Sequence, residues 1–195
     1  GEYASLDIDL FKSIVEQARP LGLSVVKLTG GEPLLHPRIL EILEFVKIEG
    51  LRLTVETNGV LCTPKLAQKI AECNSPFVSV SLDGVDADTH EWVRGVKGCF
   101  DAAKEGLANL KQAGIRPQVI MTVMRRNREQ LEAMARLAKE LGVGSVKFNA
   151  VQPSARGEAL HKAEETLDIQ ELIRLGDWVE NILAPSIDLK LIYHH

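Results

Sequence analysis

The residues with the clearest chemical potential stand in one short run, Lys27-Leu28-Thr29-Gly30-Gly31-Glu32-Pro33. An apolar segment, 24–28, reads as a strand that stops in a glycine pair. Adjacent glycines let the backbone turn through angles that other residues avoid and let a ligand approach the main chain closely. Glu32 brings acceptor oxygens onto that turn, suited to an amino or hydroxyl group. Pro33 stiffens the exit by fixing φ and removing a donor. Alone, the run reads equally well as a strand-to-helix turn that needs glycine. It has company: Thr57-Asn58-Gly59 and Ser79-Val80-Ser81-Leu82-Asp83-Gly84 follow or close two later apolar segments.

The elements that carry these motifs alternate. Ile8, Phe11, Ile14, Val15 and Ala18 recur at helical spacing, which predicts a helix over 6–19 with Asp7 or Asp9 at its start. Strands are predicted over 24–28, 51–57, 77–82, 118–124 and 145–151. Helices are predicted from Pro37 to about 49, with His36 at or beside the cap, and over 63–72, 100–112, 128–141 and 167–183. The stretch 86–94 reads as a loop with a short helical turn, 153–158 as a loop and 187–193 as a strand-like tail. Five strand–helix repeats with short connections demand parallel strands and right-handed crossovers. The chain reads as one domain, 1–195.

Parallel strands buried on both faces are usually continuous apolar runs; these are not. One parity is polar: Lys27 and Thr29; Arg52, Thr54, Glu56 and Asn58; Ser79, Ser81 and Asp83; Gln118 and Thr122; Ser145, Lys147 and Asn149. Burying Lys27, Glu56, Asp83 or Lys147 unpaired costs several kcal/mol each. These residues must pair, meet water or meet a ligand, which predicts an open or partial barrel with a polar cavity over a doubly wound sheet. Ligands of such barrels bind at the strand C-terminal ends. The glycine run, Asn58-Gly59, Asp83-Gly84, 125–127 and Gln152-Pro153 all fall at such ends. Arg125, Arg126 and Arg128 beside Asn127, a good helix cap, read as a solvated helix start or a receiver for an anionic group. Trp92 and Trp178 read as packing residues.

With 195 residues, 45% apolar and 26% charged, the chain suits a soluble domain with a sizeable core, and its net charge of −4 points away from nucleic acid or an anionic membrane as partner. It shows no run long enough to span a bilayer and no basic-then-apolar leader. Cys62, Cys73 and Cys99 match no zinc or iron–sulfur spacing and read as buried thiols of a reducing cytoplasm. His36 reads as a cap residue and His194-His195 as an exposed terminal pair.

The three strand-end motifs together resemble the radical S-adenosylmethionine (SAM) enzymes, above all the SPASM-type branch that matures peptides or builds haem and quinone cofactors. The resemblance covers nearly the whole chain. It implies a partial (β/α)6 TIM-type barrel whose first strand and cluster loop, with the CxxxCxxC motif for a 4Fe-4S cluster, are missing from this chain. A truncated core domain, inactive by itself, is the expectation that follows. The resemblance also implies a small-molecule or peptide substrate, an electron donor, and a SAM site built from Gly30, Gly31, Glu32 and Pro33 for the methionyl amine. Ser81 would stand near the ribose or carboxylate, Arg94 would meet the carboxylate, and Asn58 and Asp83 would support them. The competing readings are a non-radical TIM-type enzyme, a ligand-binding barrel, or an inactive scaffold with Lys27, Glu56 and Asp83 paired off inside an occluded cavity.

Overall fold

The computed structural model describes residues 5–151, 158 and 162–194. Helix α1 (Ile8–Ala18) precedes strand β1 (Val25–Leu28). Then follow α2 (Ile39–Ile48), β2 (Arg52–Thr57), α3 (Pro64–Ala71), β3 (Asn74–Ser81), α4 (Ala87–Arg94), α5 (Cys99–Gln112), β4 (Gln118–Val123), α6 (Leu131–Leu141), β5 (Ser145–Ala150), α7 (Ile169–Trp178) and β6 (Lys190–His194). All six strands are parallel and lie in the order β1-β2-β3-β4-β5-β6. Each crossover moves one strand onward with no reversal, so the winding is that of a barrel and not of a doubly wound sheet. The sheet does not close on itself: β1 and β6 are its edges. Among the described residues no helix is long and apolar enough to cross a membrane.

The parity argument holds in three dimensions. Val26, Leu53, Val55, Val78, Val80, Val119, Met121, Val146 and Phe148 are buried in one continuous core. On the opposite parity the lower part of the sheet is sealed by a polar ladder. Ser79 donates to Gln118 Oε1 (3.3 Å), and Gln118 Nε2 donates to Ser145 Oγ (3.0 Å). Side chains that find partners across strands in this way can be buried without the penalty of an orphaned polar group. The inner face opens toward the strand C-terminal ends.

Three local expectations change. Residues 87–94 form a two-turn helix, because Asp86 caps it by accepting from Thr89 N (2.7 Å) and Gly95 ends it at φ 70°. The helix expected from Pro37 starts at Ile39. Before it, His36 Nδ1 accepts from Arg38 N (3.1 Å), leaving Nε2–H to donate to Leu6 O (2.8 Å), so this histidine ties a turn. The helix expected over 167–183 is α-helical only to Trp178 and continues as a π turn, Val179–Leu183. Gln152-Pro153, His195 and the 153–158 loop, apart from Glu158, lie outside the described residues.

The loop after β2 is pressed onto α5. A Cβ at Gly106 of α5 would lie 2.2 Å from Gly59 O, and one at Gly59 would lie 2.7 Å from Val80 Cγ1. Alanine in a helix interior gains about 1 kcal/mol over glycine, but here the clash is with backbone and no rotamer relieves it. Gly106→Ala is predicted to destabilise the fold by about 1–3 kcal/mol net, the usual cost of overpacking. A lowered urea midpoint at unchanged slope checks this.

Candidate functional site

A cavity of about 530 Å³ opens at the C-terminal ends of β1, β2 and β3. Of the residues singled out in the sequence, Gly30, Gly31, Glu32, Asn58, Ser81 and Arg94 line it, together with Thr29, Glu56, His90 and Cys99. Asp83 lies behind Arg94, and Pro33 opens a short 3-10 turn, Pro33–Leu35, on the rim.

The glycine run supplies an open edge of backbone. Gly30 has φ 128°, a conformation that side-chain-bearing residues rarely adopt, and a Cβ at Gly30 or Gly31 would meet no atom within 4 Å. Glu32 fixes this loop to β2. Its Oε1 accepts from Leu34 N (3.0 Å) and the Thr57 hydroxyl (2.6 Å), and its Oε2 accepts from Asn58 N (2.7 Å). About one of its four lone-pair positions is left for a ligand. Next along, Asn58 Oδ1 accepts from Val60 N (2.9 Å) and the Thr57 hydroxyl accepts from Gly59 N (3.0 Å), the local turn-locking that such residues perform. On the β1 side, Lys27 pairs with Glu56 at 2.8 Å, and the Thr29 hydroxyl donates to Glu56 Oε2 (3.3 Å). Lys27 and Glu56 thus pair with each other, yet the cavity beside them stays open.

The other wall is held by Asp83, only 1% exposed. Its Oδ1 accepts from Thr122 N (2.8 Å), and its Oδ2 lies 2.6 Å from Arg94 Nη2. In that ion pair the N–H is not aimed along a hydrogen bond, so Asp83 Oδ2 and the buried Arg94 Nε both lack a hydrogen-bond partner. Asp83 N donates to His90 Nδ1 (3.0 Å), and Asp83 O accepts from Asn127 Nδ2 (2.8 Å). Asn127 is fully buried. It caps no helix: Nδ2 also donates to Thr122 O (2.9 Å), and Oδ1 accepts from Met124 N (2.8 Å). His90 and Arg94 stand one turn apart on α4 and therefore share a face. Burial lowers the His90 pKa first; Asp83 raises it and Arg94 lowers it further.

The arginines after β4 are matched by acids of their own chain. Arg125 makes a fork to Glu171 (3.0 Å on both arms), and Arg128 Nη1 donates to Glu171 Oε1 (2.5 Å). Arg126 pairs with Glu165 (3.3 Å) and stacks over Trp92, 3.7 Å from the ring centre. They form an internal clamp, and Trp92 is half-exposed under it. The three cysteines are buried free thiols; burial pushes Cys62 and Cys73 up to about 11 and raises Cys99. Among the described residues no group of three or more His, Cys, Asp or Glu could hold a metal ion.

Sequence reasoning missed His90 and misread Asn127. The signal for His90 was its four-residue spacing to Arg94, hidden while 86–94 was read as a loop with only a short helical turn.

Two outcomes follow. Asp83→Ala leaves Arg94 without its counter-charge and Thr122 N without its acceptor, and is predicted to cost about 3 kcal/mol, the scale for breaking a buried pair. Asp83→Asn, which keeps the Thr122 bond, costs less; both are read by urea unfolding. The second concerns pH. His90 has a folded pKa below its ordinary value of 6.5, so on acidification the unfolded chain takes up a proton that the folded chain refuses. Stability falls as pH drops below about 6.5 and this component levels off below the folded pKa. His90→Gln removes it, and the difference between the two pH–stability curves measures it.

The model of the Radical SAM superfamily matches residues 1–175. An AdoMet-dependent heme synthase of Methanosarcina barkeri is 35% identical over 153 residues, 78% of this chain and 44% of that protein. The mycofactocin maturase MftC of Mycolicibacterium smegmatis is 32% identical over 173 residues, 86% of this chain and 42% of that protein. SuiB of Streptococcus suis, solved bound to S-adenosylmethionine, superposes with a TM-score of 0.81 at 16% identity, over 100% of this chain and 45% of that one. The chain thus spans less than half the length of the curated relatives it matches. It belongs to the Radical SAM superfamily.

Proposed function

We propose that this chain is the SAM-binding core of a radical SAM enzyme, with the cavity at β1–β3 as the SAM site. The observation that carries this is the pairing, across one cavity, of an open glycine backbone edge with the part-exposed guanidinium of Arg94. An amino acid's amine and carboxylate need those two opposite partners. The backbone at Gly30 and Gly31, with the remaining acceptor position of Glu32, receives the methionyl amine. Arg94, oriented by Asp83, receives the carboxylate, for which a guanidinium fork is apt. Ser81 at the end of β3 stands by the ribose or carboxylate, while Asn58 and Asp83 hold the strand ends in place.

A 4Fe-4S cluster beside this site would supply the electron for reductive cleavage of SAM, while this chain would bind and orient SAM and exclude water. The cluster does not fit the residues of this chain, whose three cysteines are dispersed and protonated, and the sequence contains no CxxxCxxC. We assign its ligands to the remainder of the parent protein, together with the docking of an electron donor. The substrate is a peptide or a small molecule, a reading supported by relatives named as a maturase and a heme synthase.

Calorimetric titration of SAM into the chain tests this, with Arg94→Gln alongside. The wild type is expected to bind, and the variant to bind about tenfold or more weakly, since a charge-assisted bond contributes about 1.5–3 kcal/mol. Melting curves without ligand separate lost contact from lost folding. Equal binding by both proteins, or no binding at millimolar SAM, would count against the site. Glu32→Ala is the less clean probe, because it also frees Leu34 N, Thr57 and Asn58 N.

A further inference from the structure

We propose that His90 is a second ligand donor of this cavity: its Nε2–H hydrogen-bonds an oxygen of SAM beside Arg94. The inference rests on the SAM reading of the site and adds to it a residue and a protonation state.

The chemistry starts at the other ring nitrogen. Asp83 N is a backbone amide and can only donate, so His90 Nδ1, 3.0 Å away, must accept. A neutral imidazole that accepts at Nδ1 carries its proton on Nε2. Protonating Nδ1 would set one N–H against another, and burial already opposes the charged ring. The tautomer is therefore fixed by the main chain. The ring also packs against Phe100, 5.9 Å between centres.

His90 is 2% exposed and lines the cavity, yet Nε2 has no hydrogen-bond partner among the described residues. Unlike Arg94 Nε, Nε2 keeps some exposure, so its N–H can meet an acceptor that enters the cavity. Its neighbour one turn on, Arg94, offers a guanidinium to the same cavity, and Asp83 holds both through different atoms. The two donors on one helix face suit an oxygen-bearing group: the SAM carboxylate or a ribose hydroxyl.

A pair of substitutions separates this role from a purely structural one. His90→Asn places an amide oxygen near the position of Nδ1 and keeps the tie to Asp83 N, but offers nothing at Nε2. His90→Gln places an amide N–H near Nε2 but gives up that tie. If His90 is a ligand donor, His90→Asn melts close to wild type and binds SAM about tenfold more weakly. His90→Gln then melts lower yet keeps more of the affinity. If His90→Asn binds SAM within about twofold of wild type, or if His90→Gln is as weak a binder as His90→Asn or weaker, the inference is wrong. In either of those cases the SAM site itself survives, provided the wild type binds and Arg94→Gln binds about tenfold or more weakly. Repeating the titrations with 5′-methylthioadenosine, which lacks the carboxylate, identifies the oxygen. A retained His90→Asn defect assigns it to the nucleoside, and a vanished one to the carboxylate.

Should His90→Asn fail to fold, 15N NMR of the wild-type imidazole decides. Nδ1 is expected as an acceptor and Nε2 as N–H, with slowed exchange of the Nε2 proton on adding SAM. A proton on Nδ1, or exchange unaffected at saturating SAM, would overturn the proposal.

Discussion

A single buried carboxylate, that of Asp83, constrains the site more than any other group. Taking it out of water costs several kcal/mol unless its charge is met, and this chain meets it from two directions. The main chain of β4 donates to one oxygen, and Arg94 of α4 neutralises the other. The backbone of the same residue is tied to His90 through its N–H and to Asn127 through its carbonyl. The end of β3, the start of the turn after β4 and the inner face of α4 therefore cannot move independently. Arg94 and His90, which line that wall of the cavity, are both held by one residue that does not line it.

Glu32 does the same for the opposite wall. It is one residue beyond the glycine pair, and its three bonds to Leu34, Thr57 and Asn58 hold the open backbone edge against β2. The cavity thus lies between two carboxylates that are mostly committed to the protein, one on each side. Below them the Ser79–Gln118–Ser145 ladder ties β3, β4 and β5 together across the inner face. The free hydrogen-bonding capacity facing the cavity is concentrated in the glycine edge, the rest of Glu32, the part-exposed guanidinium of Arg94 and the Nε2 of His90.

Much of this was legible in the sequence, and the exceptions have physical reasons. The alternation of polar and apolar residues marked the inner face because a parallel sheet leaves only that side for Lys27, Glu56 and Asp83. The strand-end motifs marked the site because glycine pairs and Asx turns have local geometry. What spacing does not reveal is who bonds whom across the fold. Asn127 carries the sequence signature of a cap, yet it lies 44 residues from its partner Asp83 and is used as a buried bridge. The three arginines after β4 read as a solvated helix start or an anion receiver, yet their partners are Glu165 and Glu171, some 40 residues on. His90 was hidden because one capping bond from Asp86 turns an apparent loop into a helix.

The measurement that bears most directly on the central claim is a crystal structure of this chain grown with saturating SAM. The account predicts density between β1 and α4, with the methionyl amine on the backbone of Gly30 and Gly31 and the carboxylate on Arg94. An unaltered, empty cavity at saturation, or SAM bound elsewhere, for instance in the groove walled by Arg128, Glu171 and Arg174, would contradict it.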